Sequence, residues 1–230
     1  SNGLFRRQGC PLRLTNGTDV SGRKIVPVIG LVGGVGSGKS SVAAWVASRG
    51  RAAVVSGDEA GHLVLRDADV KKQLQQHFGH SIFDEQGEVV RGALAELVFG
   101  ATPERRQART QLEKIVHPAI RELLSRQITD LRNLNTVDAI LLDAAVLFEA
   151  GWNDLCDAVV FVDVPREDRL QRVFHSRGWT EQTLDDREAS QLPLATKRAS
   201  STDVIDNRGP VEEAGARLQD ILERIRQRHH

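Results

Sequence analysis

The chain has 230 residues, with 31 Lys+Arg set against 31 Asp+Glu, so its formal net charge is zero. At 40% hydrophobic and 27% charged residues it has the composition of a soluble folded protein rather than a disordered one, and it lacks the basic excess that a non-specific nucleic-acid binder uses to neutralise phosphates. No apolar run approaches the ~20 residues of a membrane span, and Cys10 and Cys156 match no metal spacing and suit a reducing cytosol better than a disulfide scaffold.

Residues 1–24 are polar and turn-rich and read as a flexible leader, with no continuous apolar stretch of the secretory kind. Residues 26–32 then form an apolar run with Pro27 at its start, as expected of a strand buried on both faces. A glycine cluster follows. Residues 39–48 carry Val42, Trp45 and Val46 at helical spacing, and Gly50 stands where a C-cap glycine belongs. Residues 52–55 make a second short apolar run, which completes a βαβ unit. From 62 to 132 the text is helical and charged, broken at Gly79, Gly87, Gly100 and Pro103. We read it as a helical insertion. Strand character returns at 137–142 and 158–162, each run ending at an aspartate, Asp143 and Asp163. Pro165 opens a helix to about 176, 180–190 reads as another helix, and Val204 with Ile205 as a last short strand. Ala214, Leu218, Ile221, Leu222 and Ile225 fall on one stripe of an amphipathic terminal helix. Alternating β and α units predict a five-stranded parallel sheet flanked by helices, an α/β fold.

Gly33-Gly34-Val35-Gly36-Ser37-Gly38-Lys39-Ser40 matches G-x-x-x-x-G-K-[ST], a pattern this composition predicts about 0.004 times by chance. The residue types follow from phosphate chemistry. Glycines let backbone N–H groups turn inward around a polyphosphate, and the following helix adds its positive N-terminus. Lys39 is placed to reach the β- and γ-phosphates and the Ser40 hydroxyl to bind Mg²⁺. No guanine-reading N-K-x-D segment follows, which favours a small-molecule kinase over a switch GTPase.

In an open parallel sheet, ligands sit beyond the carboxyl ends of the strands. Asp58, Asp143 and Asp163 each follow an apolar run and should share that edge. Asp58, in a turn with Ser56 and Gly57, is the candidate to orient an acceptor hydroxyl, although a turn-capping aspartate has the same signature. Asp143 suits either an Mg²⁺-ordering role or a structural one, and Asp163 suits turn capping.

The P-loop, then Asp58, Gly87 with Arg91 and Leu94, His117-Pro118, Leu147-Phe148-Glu149, and Val204-Ile205-Asp206-Asn207 together resemble the dephospho-coenzyme A kinase family over about residues 26–226. The resemblance implies a P-loop kinase fold with a helical substrate domain and a mobile lid. It implies transfer of the ATP γ-phosphate to the ribose 3′-hydroxyl of dephospho-CoA, the final step of coenzyme A synthesis, in the cytoplasm. Asp58, Lys39 and Arg172 take the catalytic positions. ATP is held by Gly33, Gly34, Val35, Gly36, Ser37, Gly38, Lys39, Ser40, Ser41 and Asn207. The acceptor meets Asp58, Arg91, His117, Leu147, Phe148 and Glu149, and Mg²⁺ meets Ser40. The family's usual Asp-Ala-Asp reads Ser56-Gly57-Asp58 here, and His62 stands at a family arginine. Arg177, Arg187, Lys197 and Arg198 are further cations in and after the lid, and a charge run of this kind also describes a plain solvated face.

The domain reading is a nucleotide-binding core at 25–61 and 133–230 with the lid at about 172–200, and a substrate-binding unit at 62–132. ATP and Mg²⁺ are the expected cofactors and dephospho-CoA the expected partner, with no nucleic acid and no membrane. Oligomeric state is left open. The rival readings are a kinase for another nucleoside or nucleotide, and a nucleotide-binding regulatory protein.

Overall fold

The computed structural model describes residues 26–100 and 102–227. The 1–24 leader, Cys10 and the terminal histidines lie outside the described residues. Five parallel strands, β1 (Val28–Gly33), β2 (Ala52–Ser56), β3 (Ala139–Asp143), β4 (Ala158–Asp163) and β5 (Asp203–Asp206), lie in the order β2-β3-β1-β4-β5. β1 is central and all six of its residues are buried. Its register sets Leu31 beside Asp143 of β3 and Gly33 beside Val162 of β4. The carboxyl ends of three strands therefore meet where the glycine cluster begins.

Strand alternation divides the core into two layers. Val28 and Val32 face a cluster with Leu124, Ile128 and Trp152. Ile29 and Leu31 face the opposite cluster, with Val42, Val46, Leu218 and Ile221. The second layer is supplied by α1 (Lys39–Arg49) and α9 (Val211–Gln227). These helices approach closely because Gly215 has no side chain: a Cβ there would stand 2.2 Å from Trp45 Cε3.

Between β2 and β3 lie α2 (Gly57–Val64), α3 (Ala68–Phe78), α4 (Arg91–Val98) and α5 (Pro103–Leu134). α5 runs 32 residues, about 48 Å at 1.5 Å per residue. Pro103 occupies its first turn and the Thr102 hydroxyl accepts from Arg105 N, so the proline starts this helix. Val70, Leu74, Ile82, Leu94, Val98 and Ile115 form a separate small core among α3, α4 and α5. After β4 come α6 (Arg166–Arg177), α7 (Glu181–Glu188) and α8 (Leu194–Ser200). No helix among the described residues is long and apolar enough to cross a membrane.

One local expectation changes. The helical run after β2 starts at Gly57 rather than near 62, because Ser56 ends the strand and caps the helix by accepting from Glu59 N. Gly50 is the C-cap of α1 as expected, in an extended conformation (φ −146°, ψ −179°), since the chain passes almost directly from α1 into β2. α8 had no clear sequence signal.

Candidate active site

The P-loop spans the gap between β1 and α1. Gly38 is the α1 N-cap at φ 81°, and no side chain caps this helix. Its first N–H groups stay available to an anion, with the helix dipole behind them. A side chain at Gly38 would be doubly costly: φ lies in the left-handed region, and a Cβ would stand 2.6 Å from Asn207 Nδ2.

Three side chains hold the loop from outside. Asn207 Nδ2 donates to Ser37 O at 2.8 Å. Arg172 donates to Asn207 O at 2.7 Å and to Ser37 O at 3.5 Å. Arg169, buried, donates to Val35 O and Val164 O and pairs with Glu188.

Lys39 is buried over the loop, where Nζ donates to Gly33 O at 3.3 Å and Gly34 O at 3.2 Å. Burial pulls its pKa down, while the charges of Asp143 and Asp58 oppose that shift. Ser40 Oγ donates to Asp143 Oδ2 at 2.5 Å. Burial raises the Asp143 pKa, against the Ser40 hydrogen bond and the Lys39 charge. A serine hydroxyl and a carboxylate side by side, next to a phosphate loop, are the hard oxygen donors that suit Mg²⁺.

Two clefts meet at these residues. One, of about 630 Å³, is lined by Gly38, Ser41, Arg172 and Asn207. The other, of about 380 Å³, is lined by Asp58, Asp143, His117 and Arg187. Gly36, Lys39, Ser40 and Arg177 belong to both. An apolar recess walled by Val116, Ile120 and Trp152 continues from Asp58 and His117. The site is therefore a polar anion cradle joined to a partly apolar groove, with a carboxylate and an ammonium near the junction.

The profile of the dephospho-CoA kinase family matches residues 27–213. The chain belongs to the dephospho-CoA kinase family. It is 37% identical over 199 residues to the dephospho-CoA kinase of Syntrophotalea carbinolica, covering 86% of this chain and 92% of that one. It is 38% identical over 201 residues to that of Corynebacterium diphtheriae, covering 86% and 92%. A crystal structure of a Thermus thermophilus protein matches with TM-score 0.71 at 32% identity, covering 87% of this chain and 98% of that one.

The positions taken from the family resemblance divide into three groups. Lys39, Ser40, Asp58, His117, Arg172, Asn207 and Ser41 line the joined clefts. Asp58 sits in the first turn of α2, not in a loop, so strand β2 and the Ser56 cap fix where it stands. His117 lies within α5, edge-on to Trp152 with ring centroids 5.5 Å apart, and burial lowers its pKa. Arg91 lies apart, in a recess with Arg66 and Glu88, where its guanidinium donates to His62 Nε2 at 2.7 Å. That recess adjoins the apolar recess beyond Asp58 through His62 and Leu65, which line both.

The third group packs away from these clefts. Leu147 is fully buried in the core, against Gly30. Phe148 packs half-buried against the same core. Glu149 accepts from Leu192 N and pairs with Lys197 at 2.8 Å. Lys197 in turn is wholly buried and also donates to Ala145 O and Gln191 Oε1. The cations in the run from 187 to 198 are thus differently placed. Arg187 packs on aromatic rings, Lys197 is inside, and Arg198 pairs with Asp163. Arg169 and Lys197 are the residues that sequence reading under-weighted. Both look like ordinary surface cations until burial is known.

Proposed function

We propose that this protein transfers the γ-phosphoryl of ATP to the ribose 3′-hydroxyl of dephospho-CoA, the closing step of coenzyme A synthesis, acting on diffusible small molecules in the cytoplasm. The observation that carries the reading is the junction of the two clefts at Lys39 and Ser40, with Asp58 on the acceptor side. Family membership supports the choice of acceptor.

The triphosphate lies along the loop amides and the uncapped start of α1. Lys39 exchanges its two backbone acceptors for phosphate oxygens and balances their charge. Ser40 and Asp143 would hold Mg²⁺, which when bound would offset negative charge on the phosphates. On the acceptor side Asp58 accepts a hydrogen bond from the 3′-hydroxyl, orients it, and takes its proton as the new O–P bond forms and the bond to the ADP leaving group breaks. Arg172 stabilises charge on the moving group. Positioning and electrostatics supply most of the acceleration in such loose transition states.

The core is 25–61 with 133–230, the unit at 62–132 holds the acceptor, and the segment at about 172–200 closes over the phosphates. His117 and the apolar recess beyond it receive the acceptor. The separate small core of α3, α4 and α5 supports treating the inserted helices as a unit. A coupled ADP-release assay with dephospho-CoA, adenosine, AMP and uridine tests the proposal. Dephospho-CoA should be the preferred acceptor by kcat/KM. A larger kcat/KM for any of the other three would overturn the substrate assignment.

A further inference from the structure

α6 and α7 are joined by only three residues, Gly178, Trp179 and Thr180, and both helix ends are capped. Gly178 is left-handed at φ 65° and its N–H returns to Phe174 O, while Trp179 N–H returns to Val173 O at 3.4 Å. The Thr180 hydroxyl caps α7 by accepting from Thr183 N. The backbone of Trp179 is therefore held on both sides, and its ring lines the acceptor cleft.

Two guanidinium groups lie on that ring. The Arg177 Cζ is 4.8 Å from its centroid and the Arg187 Cζ is 5.4 Å away. Arg187 also lies 4.0 Å from the Phe99 ring, just past the end of α4, so it reaches across the cleft to the inserted helices. The neighbouring cations are differently placed. Arg166 pairs with Glu181 and Asp185, and Arg169 with Glu188. Arg177 and Arg187 have no acidic partner among the described residues. An aromatic face attracts a guanidinium without cancelling its charge, and stacking leaves its N–H fork free at the edges. Arg177 lines both clefts and Arg187 the acceptor cleft.

We propose that Trp179 is a positioning residue of the transfer: it holds Arg177 at the junction of the clefts and Arg187 across the acceptor cleft against Phe99, so that both uncancelled charges meet anionic groups of the bound substrates. This rests on the phosphotransfer reading above. It adds a residue that acts on the reaction through two arginines.

The test uses the full chain with Mg-ATP and dephospho-CoA. Wild-type inactivity on dephospho-CoA would sink the phosphotransfer reading itself, so the variants are compared only with an active wild type. Trp179→Ala should lower kcat/KM for dephospho-CoA by about 10-fold or more, with an unfolding midpoint close to wild type. Trp179→Phe, which keeps an aromatic face, should recover most of the loss. In a background lacking both guanidinium groups, Arg177→Ala with Arg187→Ala, adding Trp179→Ala should change kcat/KM by less than about 3-fold, because residues acting as one unit are not additive. Wild-type kinetics in Trp179→Ala would overturn the proposal. So would a full 10-fold further loss in the arginine-free background, or no recovery in a folded Trp179→Phe.

Discussion

Replacing Lys197 with methionine tests whether the segment after α7 is held to the acceptor groove by one buried charge. Lys197 has no exposed surface, and its Nζ serves Ala145 O at 2.6 Å, Gln191 Oε1 at 2.8 Å and Glu149 Oε1 at 2.8 Å. Glu149 has little relief elsewhere: Oε1 also accepts from Leu192 N, Oε2 is buried with no hydrogen bond, and the side chain is 16% exposed. Methionine roughly preserves volume, so the loss is mainly electrostatic. Breaking a buried ion pair by removing one partner costs about 3–5 kcal/mol. The partial exposure of Glu149 places this case near the lower figure. With a urea m-value of about 2–3 kcal/mol/M, a loss of about 3 kcal/mol lowers the unfolding midpoint by about 1–1.5 M. Ala145 and Gln191 line the acceptor cleft, so the KM for dephospho-CoA should also rise. Combining Lys197→Met with Glu149→Leu removes the stranded carboxylate and should return much of the stability. A midpoint shift below about 0.3 M for Lys197→Met, or strict additivity in the double variant, would show that this buried charge does not hold the segment.

Lys39→Ala should leave the fold intact and lower kcat/KM by about 10² or more, ~2.7 kcal/mol, measured by ADP release and checked by circular dichroism. Arg172→Ala should depress kcat more than it weakens ATP binding, and Arg172→Lys should restore only part of the loss, because one ammonium cannot reproduce the fork that serves Asn207 O and Ser37 O; equal kcat in all three proteins would remove Arg172 from the chemistry. His117 makes stability pH-dependent. Burial holds its folded pKa below the ordinary 6.5, so the unfolded chain takes up the proton first and stability falls as pH drops from about 6.5 towards the folded value. His117→Gln should flatten that part of the urea-midpoint profile, and an unchanged slope would show that His117 contributes nothing to it.

Much of this architecture is written locally. β1 is legible because it is apolar at nearly every position and runs straight into glycines whose spacing only a phosphate loop requires. α9 is legible because five apolar residues fall on one stripe. Legibility fails where a residue's chemistry misleads about its burial. α8 is hidden because its buried position is Lys197, a residue that reads as surface. Leu147 and Glu149 look alike as members of one motif, yet the first packs against Gly30 and the second binds Lys197 from 48 residues along the chain. Asp58 was legible as a candidate, but its placement at the start of α2 depends on Ser56 being strand end and helix cap at once. The Trp179 corner joins residues 99, 177, 179 and 187, and no local pattern announces a contact made across a cleft.

In the proposed reaction Asp58 faces an acceptor hydroxyl across the junction from Lys39. Asp58→Asn keeps the side chain's size and removes its basicity, so ATP affinity and single-turnover transfer should be measured on the same preparation. ATP binding should stay within a few-fold of wild type while transfer to dephospho-CoA falls by about 10²–10⁴-fold. A variant that transfers within a few-fold of wild type would reduce Asp58 to a helix-start carboxylate and contradict the account.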